Sequence, residues 1–326
     1  MDTSRHISII ANPASQNGKG AAIAAQVYKR LSAAVGPEHV DLMMTQAPNH
    51  ALELAKQAAA FQAGTIVAVG GDGLAHEVCN GLMELPAQQR PTFGLVPAGC
   101  GNDYAGALKL PTKVGDAVDV LLAAKARPLD VGCVNGTYYL ETLSFGLDAA
   151  IALGTVELRQ KSGHSGTRLY LDSAREQLLH HMDPYAFQLQ AQDGTRVRYE
   201  KGTARAVEDL DPAGTLTANL HLVAVQIGTR YGGGFHICPD ARLDDGLLDI
   251  CIAHAPIARP NAVRIFLMAK GGHHTGCKPI EFLRARKLHL HFEAQPPIQA
   301  DGERMEGTDF DIACIPGALQ VLVPQY

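Results

Sequence analysis

Four short clusters in this chain set a carboxylate beside glycine, an arrangement suited to a cation and a phosphate. The first is VAVGGDGLAHEVCNGL, residues 67–82, in which an apolar run breaks at Gly70, Gly71, Asp72 and Gly73 and resumes with helical spacing. Glycine lets the backbone approach an anion closely, and the amides at the start of the following helix can point at phosphate oxygens. Asp72 repels phosphate, so its place among those glycines makes sense if a magnesium ion lies between the two. A strand-to-helix turn with an exposed aspartate is the plainer alternative. PAGCGNDYA repeats the logic one strand later and sets Asp103 there. The carboxyl ends of neighbouring strands converge in open α/β sheets, so Asp72 and Asp103 are expected to face one crevice. CPDARLDDGLLDI carries Asp244 and Asp245, and QADGERMEG carries Asp301 and Glu303. Taken singly, each of these last two reads as an ordinary Asp-Gly turn.

Other nucleotide and metal motifs fit less well. NGKGAA lacks the Ser or Thr that a phosphate-binding P-loop places after its lysine, here Lys19, and no GxGxxG follows the first strand. His76-Glu77 is not part of HExxH, and His273-His274 has no further ligand at helical spacing, which leaves a solvated or hydrogen-bonded loop.

The elements that must position these residues read in two textures. Residues 6–11, 39–44, 65–69 and 92–99 read as strands, with helices at about 20–33 and 49–60 and another after residue 72. Alternation of this kind predicts right-handed crossovers and a mostly parallel sheet. Leu74, Val78 and Leu82 fall on one helical stripe that packs on the sheet. Beyond residue 127 the pattern becomes β-rich. A hairpin turns at Asn135-Gly136, one helix covers about 166–182, and strands recur near 185–191, 196–200, 218–227, 248–253, 287–293 and 310–323. Residues 200–219 read as a polar, irregular excursion. The fold class is thus an α/β nucleotide-binding domain, residues 1–127, followed by a mainly antiparallel β-sandwich domain, residues 128–326, whose end returns to the first domain.

Composition narrows the class. The 326 residues are 46% hydrophobic and 19% charged, with a formal net charge of −5, which gives no sign of a nucleic-acid binder. Seven cysteines without a CxxC pair point to reduced thiols in a cytoplasmic protein rather than a disulfide framework. The N-terminal residues lack a signal-peptide apolar region, and no run approaches the roughly 18 apolar residues of a spanning helix. A lipid substrate would be met at the membrane surface, from outside.

Together and in order, ANPASQNGKG, TQAPNHA, GGDGLAHEVCNGL, PAGCGND, RPLDVG, YGGGFHICPDARLDDGLLDI and ADGE resemble the diacylglycerol kinase and sphingosine kinase family of lipid kinases, including its soluble bacterial members. The set runs from residue 11 to residue 303. The resemblance implies an NAD kinase-like α/β half, a larger β half and an active site between them. It sets Asn12, Pro13 and Thr45 against ATP, with Gly70 to Gly73, Gly99, Cys100 and Asn102 facing its phosphates. It implies an aspartate network of Asp72, Asp103 and Asp130 around a catalytic magnesium. A second, structural magnesium would sit on Asp245 with the main-chain oxygens of Arg242 and Leu247. Glu303 would accept the proton of the lipid hydroxyl, with Asp72 the alternative base, as in sphingosine kinases. A homodimer through the β half is also compatible with the resemblance.

The chain departs from the bacterial pattern at Leu74 and Cys100, where many relatives carry a hydroxyl, and at Ile227, where they usually carry Asn. Asp148, in SFGLDAA, lies near the position where sphingosine kinases place an acid for the sphingoid amine, although its spacing from Gly146 differs and a turn or capping role competes. The expected activity is transfer of the γ-phosphoryl group of ATP to a hydroxyl of diacylglycerol or a sphingoid lipid. An NAD kinase-like transferase and a catalytically silent lipid or nucleotide sensor are the alternatives. Residues 238–250 and 300–303 favour the lipid branch, and retention of all the acidic positions speaks against a silent protein.

Overall fold

A computed structural model describes residues 6–162, 167–201, 203–211 and 214–325. Residues 1–5, read above for a leader, and residue 166, the expected start of a helix, lie outside the described residues. The chain divides into two compact units, Met1–Asp130 with Pro316–Tyr326, and Val131–Ile315.

The first unit alternates as its sequence pattern requires. Strand β1 (Ile7–Ala11) runs through a turn, α1 (Ser15–Gly18), into helix α2 (Gly20–Val35). Then come β2 (Val40–Met44), α3 (His50–Ala60), β3 (Thr65–Gly70) and α4 (Asp72–Met83). They are followed by β4 (Thr92–Pro97), α5 (Asp103–Ala107), α6 (Val114–Ala123) and β5 (Lys125–Val134), whose last residues enter the second unit. The parallel order is β2-β1-β3-β4, in register Ile9↔Leu42, Ile9↔Val67 and Val69↔Val96. Every residue of β1 and β3 is buried, as expected of strands covered on both faces. Ala24, Val27 and Leu31 of α2 and Val118 and Leu121 of α6 close one side of this core. Each large aliphatic among them contributes roughly 1.5–3 kcal/mol by leaving water. Leu74, Val78 and Leu82 of α4 are buried as their spacing predicts.

The second unit is antiparallel. Its strands are β6 (Thr137–Tyr139), β7 (Thr142–Gly146), β8 (Tyr185–Gln192), β9 (Thr195–Glu200), β10 (Thr203–Asp209), β11 (Leu216–Gln226) and β12 (Leu248–His254). They continue with β13 (Ile280–Ala285), β14 (Lys287–Phe292), β15 (Ile298–Ala300), β16 (Glu303–Arg304) and β17 (Asp309–Val323). The end of β17 belongs to the first unit, where Val321 pairs in parallel with Phe93 of β4. Strand β11 pairs with β8 through Leu216–Leu220 and with β7 through Leu222–Gln226, and its whole pairing with β12 shifts register between Leu220 and Leu222. Phe145, Phe187, Phe292 and Phe310 meet in the sandwich core, with centroids of the Phe145–Phe310 pair 5.0 Å apart.

Among the described residues three α-helices accompany these strands: α7 (Leu147–Ser162), α8 (Thr167–His180) and α9 (Arg259–Ala269). Only α8 matches an expected helix; α7 and α9 correct the reading of this region as strands interrupted once. The excursion read at 200–219 is corrected as well, because residues 203–209 form β10, hydrogen-bonded to β9. Its side chains are almost all exposed, so it carries no alternation of apolar and polar residues. At Asn135-Gly136 the expected hairpin is present, with φ of 47° and 87° and Val134 paired to Thr137.

Candidate active site

Strands β3 and β4 lie side by side and end together, Gly70 opposite Pro97, so the two glycine turns begin from one level of the sheet. They touch through their backbones. A Cβ on Gly99 would stand 2.3 Å from the Cα of Gly71, and one on Gly71 would stand 2.9 Å from the Cα of Gly99. Nothing larger than glycine fits at either place without parting the turns. Asn102 fixes the second turn. Its Oδ1 accepts from the Gly99 amide at 2.8 Å and its Nδ2 donates to the Gly99 carbonyl at 3.0 Å, with its own backbone at φ 57°.

Both aspartates follow from this. Asp72 occupies the first turn of α4 and Asp103 the first turn of α5. The Tyr104 amide donates to Asp72 Oδ1 at 3.3 Å, a bond between the two turns. A Cβ on Gly101 would lie 2.9 Å from Asp72 Oδ2 and 3.4 Å from Asp103 Oδ2. The two carboxylates therefore border one small space, kept open by a glycine. Gly101 was not singled out from the sequence, although its place between Cys100 and Asn102 in PAGCGND was the available signal.

Leu74 accounts for one departure. It is buried, and a Cβ on Gly70 would stand 2.5 Å from its Cδ2, so Leu74 seals the turn where a hydroxyl would otherwise stand. Cys100 is exposed and Gly73 half-buried. Nearby on the same unit, the Ala14 amide donates to Asn12 Oδ1 at 2.9 Å and the Asn12 amide to the Val69 carbonyl at 3.3 Å. The Thr45 amide donates to the Ala11 carbonyl at 2.9 Å. A Cβ on Gly20 would stand 2.0 Å from the Asn12 carbonyl oxygen, so the start of α2 is held tightly against Asn12-Pro13.

Asp130 has a different anchorage. It is buried on β5, and its Oδ1 accepts from the Gly317 amide at 2.8 Å, within the first unit. Among the described residues no three His, Cys, Asp or Glu side chains converge to hold a cation. Asp72, Asp103 and Asp130 thus form no direct cage. The Asp72–Asp103 pair suits magnesium of the kind that keeps several waters and takes its other oxygens from phosphates.

In the second unit the two acids of the DGE segment separate in role. Asp301 and Gly302, at φ 48° and 92°, make the tight turn between β15 and β16. The Asp301 carboxylate accepts from the amides of Leu140, Glu141 and Thr142 at 2.6, 3.0 and 3.1 Å. Glu303, opposite Ala300 across that turn, is exposed.

The remaining acidic loop is partly internally satisfied, as the Leu247 amide donates to Asp245 Oδ1 at 3.1 Å around Gly246, which has φ 74°. Asp245 with the carbonyls of Arg242 and Leu247 is an all-oxygen set of the type a hard cation takes. Neighbouring Asp249 is pushed up to about 6 by burial, against the pull of Arg284, whose Nε donates to Asp249 Oδ1 at 2.7 Å.

Helices α7, α8 and α9 wall an apolar cavity of about 70 Å³, lined by Ile151, Tyr170, Phe235, Ile265 and Phe266, among others. Asp148 stands in its wall, buried in the first turn of α7, with its Oδ1 accepting from the Tyr170 hydroxyl at 3.1 Å. Burial raises its carboxyl above the usual range, against the hydrogen bonds of Tyr231, Ser144 and Tyr170.

Comparison with known proteins agrees with both halves. The diacylglycerol kinase catalytic domain matches residues 6–134, and the YegS C-terminal NAD kinase beta sandwich-like domain matches residues 142–323. A probable lipid kinase YegS-like protein of Chromohalobacter salexigens is 27% identical over 287 residues, covering 88% of this chain and 85% of that protein. Diacylglycerol kinase of Bacillus subtilis is 29% identical over 261 residues, covering 79% and 77%. The crystal structure of a diacylglycerol kinase from Bacillus anthracis superposes with a TM-score of 0.76 at 21% identity, over 98% of this chain and 97% of that one, a likeness of fold. With both domain models matched in order, the chain belongs to the lipid kinase family that joins a diacylglycerol kinase catalytic domain to a YegS-type β-sandwich, and it is an enzyme of that family.

Proposed function

We propose that this kinase transfers the γ-phosphoryl group of magnesium-bound ATP to the hydroxyl of a membrane lipid, with diacylglycerol the first choice of acceptor and a sphingoid lipid the second. The observation that carries the reading is the shared space of Asp72 and Asp103 beside two glycine turns in backbone contact. Transfer of a phosphoryl group depends on positioning and charge neutralisation more than on covalent chemistry. Gly70 to Gly73 and Gly99, Cys100 and Asn102 bring amides to the phosphates. Asn12, Pro13 and Thr45 flank the nucleotide. Asp72 and Asp103 hold the catalytic magnesium, and Asp130 secures the sheet behind them through Gly317. When bound, the ion neutralises charge on the phosphate oxygens.

Glu303 takes the hydroxyl proton during turnover. Its exposure leaves it open to a lipid, whereas Asp301 is spent on three backbone amides. Asp245, Arg242 and Leu247 take a second, structural magnesium that stiffens the loop before β12. The cavity walled by α7, α8 and α9 receives part of the lipid chain, the helices parting to widen it. Peripheral contact with the membrane supplies the substrate. Diacylglycerol in the name of the Bacillus subtilis relative supports the first-choice acceptor.

Purified protein incubated with γ-labelled ATP, magnesium and a panel of diacylglycerol, sphingosine, ceramide and NAD tests the reading. Label in a lipid product supports it. Label in NAD alone would move the enzyme to the NAD kinase branch, and no label anywhere would favour a silent sensor.

A further inference from the structure

The outer face of α9 has no part in the roles above. Helical spacing turns Ala262, Ile265 and Ala269 inward, where they are buried and line the apolar cavity. On the opposite side Leu267 is 59% exposed. Arg264 and Lys270 stand three residues before and after it, both exposed, and Arg259 opens the helix, also exposed.

The charge along this stretch of the chain is one-sided. Between Asp249 and Glu281 the chain has no acidic residue and carries Arg259, Arg264, Lys270 and Lys278, within a protein of formal charge −5. None of these four cations pairs with a carboxylate among the described residues. The Arg264 guanidinium rests instead on Asn261 Oδ1 at 3.0 Å and on Met268 Sδ at 3.5 Å.

We propose that the outer face of α9, Leu267 framed by Arg264 and Lys270, seats the protein on a bilayer that carries anionic headgroups. An apolar side chain at the centre of a cationic rim matches the bilayer boundary, where hydrocarbon lies just beneath phosphate. A nucleic acid would answer the cations and leave Leu267 in water. The inner face of the same helix lines the apolar cavity, so a lipid leaving the bilayer would meet α9 first. The purpose of this surface rests on the lipid-kinase reading, but its existence is tested apart from it.

The test is co-sedimentation of the full chain with vesicles of phosphatidylcholine alone, and of phosphatidylcholine mixed with phosphatidylglycerol, at low and high salt. Binding is expected on the mixed vesicles and weakens with salt. Combined Arg264→Glu and Lys270→Glu weakens it by about tenfold or more. Leu267→Asp also weakens it, whereas Leu267→Phe keeps or strengthens it, which guards against misfolding as the cause. Circular dichroism checks that each variant is folded. Wild-type protein that ignores both vesicle types, or a folded charge-reversed variant that binds as well as wild type, overturns the proposal. Phosphorylation of detergent-dispersed diacylglycerol reads the kinase assignment separately. The three α9 side chains do not line the cavity, so their variants keep that activity. Protein that docks through α9 yet phosphorylates no dispersed lipid would lose the kinase reading and keep this one.

Discussion

The backbones of Gly71 and Gly99 meet so closely that a methyl group on Gly99 would stand 2.3 Å from the Gly71 Cα. Two turns that come from different strands are thereby locked into one surface, and each carries an aspartate into its helix.

Gly99→Ala therefore parts the turns. We expect activity to fall on the order of 10²-fold through mispositioning of the phosphates. Stability should fall by only about 1–3 kcal/mol, the usual range for overpacking. Steady-state kinetics and urea unfolding of the same preparation check both; a variant with normal activity would show that the contact does not set the site.

The DGE acids should separate cleanly. Asp301→Ala strips the acceptor from three amides of the segment 140–142, a loss of at least roughly 1.5–3 kcal/mol at hydrogen bonds to a charged group. Chemical denaturation measures it, and an unchanged midpoint would refute the anchoring role.

Glu303→Gln should do the reverse. The side chain is exposed, so the melting temperature stays near wild type. The rate of phosphoryl transfer falls by about 10²–10⁴-fold if Glu303 is the base. A near-normal rate would move that role to Asp72.

His274 makes stability depend on pH. It is buried, its Nε2 donates to the Ile237 carbonyl at 3.0 Å, and burial lowers its pKa from 6.5 to about 4. The unfolded chain takes up a proton near 6.5 that the folded chain refuses until about 4, so the group's contribution is full above 6.5. It is lost as pH falls through this window, on the order of 3 kcal/mol in all. Urea midpoints measured from neutral pH downward, for wild type and His274→Gln, should show a shallower acid slope in the variant. Parallel slopes would contradict the assignment.

Much of the site was legible because glycine and carboxylate are informative at strand ends. Asp72 and Asp103 could be expected in one crevice, and Gly101 shows their side chains bordering one space. What escaped were residues whose signals cancel. Helix α7 contains Gly154, which reads as a breaker, yet a Cβ there would stand 2.5 Å from Ser173 Oγ of α8. The glycine serves helix packing, and Ser173 Oγ donates to the Ile151 carbonyl across the same contact. Helix α9 opens with Pro260 in its first turn, a start signal obscured by the β-rich pattern around it. Strand β10 exposes nearly all its residues, so burial leaves no imprint on its sequence. Asp301-Gly302 read as an ordinary turn, which it makes, but nothing in a sequence reveals three distant amides waiting for the Asp301 carboxylate.

In the proposed mechanism Asp72 and Asp103 together serve the transferring phosphate, and Asp72→Asn is the decisive variant. The amide keeps the size of the side chain and can still accept from the Tyr104 amide, so folding should persist. Measured with γ-labelled ATP and diacylglycerol across a magnesium titration, the variant should lose roughly 10²–10³-fold in rate and need more magnesium for half of what remains. A wild-type rate at wild-type magnesium would show that the Asp72 carboxylate has no part in the transfer.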